Sequence, residues 1–177
     1  MILILNGSLG VGKTSVAEAL HWKFDKSVHL DGDAIGDVHP FEIYDPARID
    51  HLYRTLALLI GFHQKNGYAN FVINYVFESA DSLQALLDLL HPLDASIHVY
   101  WLTCAEQAQA QRIRGRQRDQ LEWELERFVE LQRLQALAAK QGFIGKEVDT
   151  THLTSAEVAE AIWQDLFGST PGKPVTQ

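Results

Sequence analysis

Apolar and polar positions alternate along this chain in two different rhythms. Short, continuous apolar runs are typical of strands buried on both faces, and longer segments with an apolar residue every three or four positions are typical of amphipathic helices. The two kinds of segment follow one another in turn. This predicts an α/β fold in which helices cover both faces of a parallel sheet, a three-layer α/β/α sandwich. We predict five strands, at residues 1–5, 27–30, 70–74, 97–102 and near Val148.

Four apolar stripes predict helices between these strands. The stripes are Val16, Leu20 and Phe24; Ile49, Leu52, Tyr53, Leu56 and Ile60; Leu83, Leu86, Leu87 and Leu90; and Leu121, Leu125, Phe128, Leu131 and Leu134. A hydroxyl residue followed three positions later by glutamate is the capping-box pattern of a helix start. It occurs at Thr103 with Glu106 and at Thr154 with Glu157, and Gly142 can end the long helix.

Composition limits the domain count and the class of partner. The chain has 177 residues, 46% of them hydrophobic, which suits one well-buried domain. We assign that domain to residues 1–167 and predict a flexible tail at residues 168–177, which are small, polar and proline-bearing. The formal net charge of −8 argues against binding of nucleic acid or anionic membranes. One cysteine, Cys104, and no apolar run near ~20 residues indicate a cytoplasmic protein, and the oligomeric state stays open.

The most specific motif is GSLGVGKT at residues 7–14, which matches the phosphate-loop template G-x-x-x-x-G-K-[ST]. Glycines let successive backbone N–H groups turn towards a phosphate chain, Lys13 adds a positive charge, and the Thr14 hydroxyl is placed to ligand Mg²⁺. The helix that follows directs its positive dipole end at the same anion. We therefore predict a nucleoside triphosphate site formed by Gly7, Ser8, Leu9, Gly10, Val11, Gly12, Lys13, Thr14 and Ser15.

Two other interpretations of this motif are weaker. A glycine-rich turn between a strand and a helix can bind nothing at all. A dinucleotide site is disfavoured because the third glycine of G-x-G-x-x-G is missing after Gly12.

Two carboxylates follow the second predicted strand, in the segment Leu30-Asp-Gly-Asp33. Ligands of open parallel sheets lie at the carboxyl ends of the strands, so both acids should face Lys13. If the strand continues through this segment, alternation places Asp31 and Asp33 on the same side. Asp31 is then suited to the Mg²⁺ shell, and Asp33 to accepting the proton of an attacking hydroxyl. The alternative is a turn in which both carboxylates only cap backbone amides.

These segments, with residues 148–151 and the capped helix after them, resemble the small P-loop kinases over residues 1 to about 165. The pattern is similar to chloramphenicol phosphotransferase, gluconate kinase, shikimate kinase and adenylylsulfate kinase, which phosphorylate a hydroxyl of a small molecule. The resemblance implies a sheet order 2-3-1-4-5, ATP with Mg²⁺, and a lid that closes over the phosphates.

A cluster of arginines at residues 112–118 is the candidate lid, which we place at about residues 112–122. On a helix, Arg112 and Arg116 share one face, and Arg114 and Arg118 share another. An arginine brought to the phosphates accelerates phosphoryl transfer, and the resemblance assigns this role to Arg112 and Arg116. The alternative is a solvated helix whose arginines pair with nearby acids.

The third predicted strand ends in Asn74, where many P-loop proteins carry a metal-binding aspartate. Asp31 would then serve the metal alone, and Asn74 would orient a water, bond the acceptor, or cap a loop. The segment after the second strand is the usual place of the second substrate in similar kinases. There Phe41, Tyr44 and Arg48 are candidates for a polar and aromatic pocket, although each is also common in packing or at the surface.

The sequence therefore predicts an ATP-dependent kinase that phosphorylates a hydroxyl of a small metabolite or antibiotic. In it, Lys13 and Thr14 bind the nucleotide and Asp33 orients the acceptor. A nucleoside monophosphate kinase is one alternative, and an ATP-binding regulatory module without an acceptor is another. The eight histidines show no metal-ligand spacing, so zinc is not expected.

Overall fold

The computed structural model describes residues 1–116 and 119–168. The strands in this part of the chain are β1 (Ile2–Gly7), β2 (Val28–Asp31), β3 (Phe71–Asn74), β4 (Ile97–Thr103) and β5 (Lys146–Asp149). The helices are α1 (Lys13–His21), α2 (Gly32–Ile35), α3 (Pro46–Lys65), α4 (Ala80–Leu90), α5 (Glu106–Arg114), α6 (Leu121–Gln141) and α7 (Ser155–Phe167). All five predicted strands are present, each within two residues of its predicted start.

The five strands are parallel and lie in the order β2-β3-β1-β4-β5, so the predicted sheet order is confirmed. β1 lies in the middle and every one of its residues is buried. The register pairs Asp31 with Asn74 and Asn74 with Leu5, so the chain reaches the same edge of the sheet at the ends of β1, β2 and β3. The polar residues at these ends therefore lie together.

Helices cover both faces of the sheet, as the apolar stripes predict. Successive residues of β1 point to opposite faces: Ile2 and Ile4 pack in one core with residues of α3 and α4, and Leu3 and Leu5 pack in the other with residues of α1 and α7. Each fully buried aliphatic side chain stabilises the fold by about 2 kcal/mol. The three-layer α/β/α sandwich is confirmed.

One of the two predicted capping boxes is wrong. Thr103 is the last residue of β4, where its carbonyl accepts a backbone hydrogen bond from Thr150, and α5 begins only at Glu106 without a side-chain cap. Thr103 therefore pairs within the sheet and does not cap α5. The box of Thr154 with Glu157 is confirmed. A further box at the start of α4 joins Ser79 to Ser82, where serine replaces the glutamate of the usual pattern.

The long helix α6 ends at Gly142, as predicted, although that residue is extended and not left-handed. α5 ends at Arg114, so Arg112 and Arg116 do not share a helix face: Arg116 lies in the turn beyond it. Arg118 and, except for Gly168, the predicted tail lie outside the described residues. Within the described ranges, no helix combines the length and apolarity that a bilayer crossing requires.

Candidate active site

The phosphate-loop motif forms a tight bend between β1 and the first turn of α1. Gly7 and Gly10 have φ angles of 149° and 79°, which L side chains rarely adopt. A Cβ atom at Gly7 would lie 2.6 Å from the carbonyl oxygen of Leu102, and one at Gly10 would lie 2.5 Å from Cγ1 of Ile113. Both glycines are therefore required by backbone angle and by space, and the loop has the shape that the motif predicts.

Lys13 begins α1 and folds back over the loop. Its residue is 7% exposed, and Nζ donates a hydrogen bond of 3.2 Å to the carbonyl oxygen of Ser8. Burial lowers the pKa of Lys13 to about 8; Asp33 and Asp31 act against this shift, and Arg116 adds to it. A phosphate group at the loop would raise this pKa again by stabilising the charged ammonium, so the site favours an anion beside Lys13.

Thr14 and the ends of β2 and β3 bring three oxygen-bearing side chains together. Thr14 Oγ1 donates to Asp31 Oδ2 at 3.3 Å, and Asn74 Nδ2 donates to the same carboxylate oxygen at 2.9 Å. Burial raises the pKa of Asp31, but hydrogen bonds from Asn74, from the Ala34 and Asp33 amides and from Thr14 outweigh it and hold the pKa below its ordinary value. Asp31 is therefore an anion near neutral pH.

This group of oxygen atoms suits magnesium. Mg²⁺ prefers oxygen ligands and is usually bound through one or two carboxylates, several waters and the phosphates of its substrate. A hydroxyl and an ionised carboxylate beside a phosphate loop fit that description. Among the described residues, no group of three or more histidine, cysteine, aspartate or glutamate side chains is placed to hold a metal ion.

His29 was not predicted to take part, yet it contacts this group. Its Nε2 lies 2.5 Å from Asn74 Oδ1, and Asn74 is completely buried. Since Oδ1 can only accept, Nε2 carries the proton and fixes the amide so that Nδ2 points to Thr14 and Asp31. The histidine of β2 therefore sets the orientation of the amide of β3.

Asp33 does not continue the strand. β2 ends at Asp31, whose Oδ1 accepts hydrogen bonds from the amides of Asp33 and Ala34 and so caps the short helix α2. The alternation argument therefore does not apply, and the capping role considered for this segment holds for Asp31. Asp33 lies in the first turn of α2, is exposed and raises the pKa of Lys13. Both carboxylates lie near Lys13, as their position at the carboxyl end of β2 predicts, but the placement of both on one side of a continued strand is wrong.

A large cavity of about 760 Å³ opens next to Asp33. Four of the five residues predicted to contact the second substrate line it: Asp33, Phe41, Tyr44 and Arg48. The fifth, Asn74, instead bonds Thr14 and Asp31. Further lining residues come from Tyr75 to Ser82 and from the start of α6, and Leu9 of the phosphate loop also lies in the wall. The cavity and the phosphate loop are therefore continuous.

Arg127 of α6 lines the cavity, although the sequence analysis did not assign it to the acceptor pocket. It donates to Tyr44 Oη at 2.8 Å and to Glu130 Oε2 at 2.6 Å, and it forms an ion pair with Glu78. Burial lowers the pKa of Arg127, but these hydrogen bonds and the charge of Glu78 outweigh it and raise the pKa. Arg127 precedes Leu131 by four residues and lies on the buried face of α6, so the helical periodicity was the available signal that its side chain faces inward.

A small cavity of about 280 Å³ lies on the other side of the phosphate loop, between Gly10, Ser15 and α7. Arg112 and Arg116 both line it. The guanidinium of Arg112 donates to Thr150 Oγ1 at 3.0 Å and to the Thr150 carbonyl at 2.6 Å, which holds α5 against the segment after β5. Arg116 is close enough to lower the pKa of Lys13. A contact of either arginine with phosphate stays a prediction.

The buried side-chain amides of Gln109 and Asn6 hold the phosphate loop in place through hydrogen bonds, and the sequence analysis identified neither of them. Gln109 donates to Ser8 Oγ at 2.5 Å and to the Leu9 carbonyl, and it accepts from Gln132. Asn6 accepts hydrogen bonds from the Gly7 and Phe77 amides through one oxygen atom. Gln109 precedes Ile113 by one helical turn, so its position on an apolar face was the available signal.

No protein-family model and no curated protein matches the chain. Solved structures do. The tunicamycin resistance protein of Deinococcus radiodurans is 23% identical, with 98% of each chain covered and a TM-score of 0.66. The shikimate kinase of Bacteroides thetaiotaomicron is 14% identical over 94% of this chain and 97% of that one, with a TM-score of 0.64. A gluconokinase of Sinorhizobium meliloti 1021 is 16% identical over 93% and 94%, with a TM-score of 0.57. The fold is that of the small P-loop kinases.

Proposed function

We propose that this protein is an ATP-dependent kinase that transfers the γ-phosphate to a hydroxyl of a small molecule. The observation that carries the proposal is the position of Asp33, which lines the large cavity and acts electrostatically on Lys13 of the phosphate loop. A carboxylate that reaches both places can orient a hydroxyl towards a bound phosphate chain. The similar structures named tunicamycin resistance protein, shikimate kinase and gluconokinase support a small acceptor.

The proposed transfer uses few groups. The acceptor hydroxyl oxygen attacks the γ-phosphorus, the bond from that phosphorus to the β,γ-bridging oxygen breaks, and ADP leaves. The proton of the hydroxyl passes to the Asp33 carboxylate, which mainly orients the nucleophile because the transition state is loose. Lys13 and the backbone amides of the loop stabilise the negative charge on the phosphate oxygens.

Magnesium would be held by Thr14, with Asp31 beside it and Asn74 fixing that carboxylate. Bound there, it neutralises charge on the phosphates. Arg112 and Arg116 are the proposed lid residues, and the small cavity that they line is the proposed site of the nucleotide base.

The test is the variant Asp33→Asn in full-length protein. We expect transfer to fall by about 10² to 10⁴, the usual contribution of a general base, while magnesium-dependent ATP binding is retained. Asp25→Asn removes the same charge from an exposed residue before β2, at the opposite edge of the sheet, and should change neither quantity.

Transfer and ATP binding would be followed together, by mass spectrometry of the acceptor and by calorimetry. Unchanged transfer in Asp33→Asn would overturn the assigned role of Asp33. ATP binding without transfer to any hydroxyl compound would instead indicate a regulatory module.

A further inference from the structure

We infer that the acceptor carries no anionic group: it is an uncharged or amine-bearing hydroxyl compound whose ring or other apolar part packs in the large cavity. The inference rests on the proposed kinase function and names the substrate class of that same site. Four observations support it: the hydrogen bonds that engage Arg48, the ion pairs that engage Arg127, the charge of the cavity wall, and the exposed aromatic rings of that wall.

Arg48 is the first arginine of the cavity, and its guanidinium is already engaged. Nε donates to the Glu42 carbonyl at 2.9 Å, and one terminal nitrogen donates to the Ile43 carbonyl at 2.9 Å. The other lies 3.4 Å from the Gly36 carbonyl. The guanidinium carbon also lies 4.6 Å from the centre of the Phe41 ring. Arg48 therefore holds the segment between β2 and α3 in place and offers no open fork to a carboxylate or phosphate.

Arg127 is the second arginine, and acidic side chains surround it. Glu78 and Glu130 neutralise it, and Tyr44 accepts from the same terminal nitrogen as Glu130. Its side chain is 9% exposed. An anionic acceptor would have to displace a carboxylate from a buried arginine, which leaves that carboxylate without its partner.

The net charge of the cavity wall also disfavours an anionic acceptor. Among the described residues that line the large cavity, two are basic, Arg48 and Arg127, and four are acidic: Asp33, Asp37, Glu78 and Glu124. The formal charge of this lining is therefore −2. Burial raises the pKa of Tyr53 and of Tyr75, so both phenols in the wall are neutral at physiological pH. A carboxylate or phosphate entering this space meets like charge, which disfavours its binding.

The rings of the cavity indicate what the acceptor offers instead of charge. Phe41, Tyr44 and Trp123 line the cavity and are 52%, 61% and 44% exposed. Exposed aromatic rings around a concave site are suited to an apolar or ring-bearing ligand. The volume of about 760 Å³ is in the range of sites for drug-sized molecules.

The experiment is an acceptor screen with the full chain, ATP and Mg²⁺. The probes are hydroxyl compounds in matched sets: a ring-bearing alcohol, its amine-bearing form and its carboxylate-bearing or phosphate-bearing form. Phosphorylated product is detected by its mass. We expect products from the uncharged or amine-bearing members, and we expect a carboxylate added to an active compound to lower kcat/KM by about a hundredfold or more.

Two results would overturn the inference in distinguishable ways. An anionic compound, including a nucleoside monophosphate, that is phosphorylated as well as its uncharged analogue contradicts the acceptor class and leaves the kinase function in place. Bound ATP with no product from any set contradicts both the kinase function and the acceptor class that rests on it.

A charge variant gives an independent readout. Asp37 is exposed and lines the cavity, so Asp37→Asn removes a wall charge with little expected effect on folding. It should raise the ratio of kcat/KM for the carboxylate-bearing analogue to kcat/KM for the uncharged analogue by about threefold. Asp25→Asn is the matched control and should leave that ratio unchanged. Equal effects of the two variants would contradict electrostatic exclusion by the wall.

Discussion

The phosphate loop takes its binding groups from eight consecutive residues, 7–14, whereas the wall of the large cavity, apart from Leu9, comes from three separated segments, within 33–53, 75–82 and 120–131. In the loop, backbone amides and one lysine are placed by glycines. In the cavity, side chains are placed by hydrogen bonds between distant elements, as when Arg127 of α6 joins Tyr44 and Glu78. Under the proposed function, the site therefore has a general half, the phosphate loop, which would bind the triphosphate, and a particular half, the large cavity, which would select the acceptor.

The largest expected effect tests the general half. Lys13→Met removes the buried ammonium of the loop and should lower the rate of phosphate transfer by about 10² to 10³ for every acceptor alike. Initial rates with two unrelated acceptors measure this. Lys140→Met, which removes an exposed lysine near the end of α6, is the control and should be neutral. A loss confined to one acceptor would contradict the division into two halves.

The second effect tests the particular half. Arg127→Met breaks a buried ion pair and should lower the free energy of unfolding by about 2 kcal/mol, because Glu78 loses its partner. ATP affinity should stay within about twofold, since the loop takes no support from Arg127. Denaturant unfolding and calorimetry measure the two quantities.

Arg54→Met is the matched control for this pair. It removes an exposed ion pair with Asp50 and should cost less than about 0.5 kcal/mol. Equal losses in Arg127→Met and Arg54→Met would show that the buried pair does not stabilise the cavity.

The same contrast explains what could be predicted from the sequence. The strands and residues 7–14 could be predicted because local apolar patterns and glycine spacing encode them, whereas the sheet order followed from the resemblance to the small P-loop kinases. The contacts of Arg127, Gln109 and His29 could not be predicted, because each acts through a partner more than forty residues away along the chain. The sequence predicts that Asp33 lies near Lys13, which the structure shows, but it predicts a strand through Asp33, where Asp31 instead caps the helix α2. Contacts between side chains of distant elements leave no periodic signal.

A smaller effect lies at the border of the two halves, where His29 orients Asn74. His29→Leu removes the donor at Asn74 Oδ1 and should raise the Mg²⁺ concentration for half-maximal rate by about tenfold. His29→Gln keeps a donor and should restore most of the loss, whereas a role in packing alone would not distinguish the two variants by their Mg²⁺ dependence. His98→Leu, on β4 away from the loop, is the control. An unchanged Mg²⁺ requirement in His29→Leu would contradict this positioning role.

The smallest effect is the pH dependence of ATP binding. In the free protein the pKa of Lys13 is lowered to about 8, mainly by burial, and bound phosphate should raise it again. Affinity due to the charged ammonium is thus fully present well below pH 8 and falls as the pH rises through and above that value. At pH 8 about half a proton should be taken up per ATP bound, and affinity should be about half its value at pH 7. Calorimetry in two buffers of different ionisation enthalpy measures the uptake. Equal uptake at pH 7 and pH 9 would show that the lysine is already charged in the empty loop, and the loop would then attract phosphate without the proton coupling that its burial predicts.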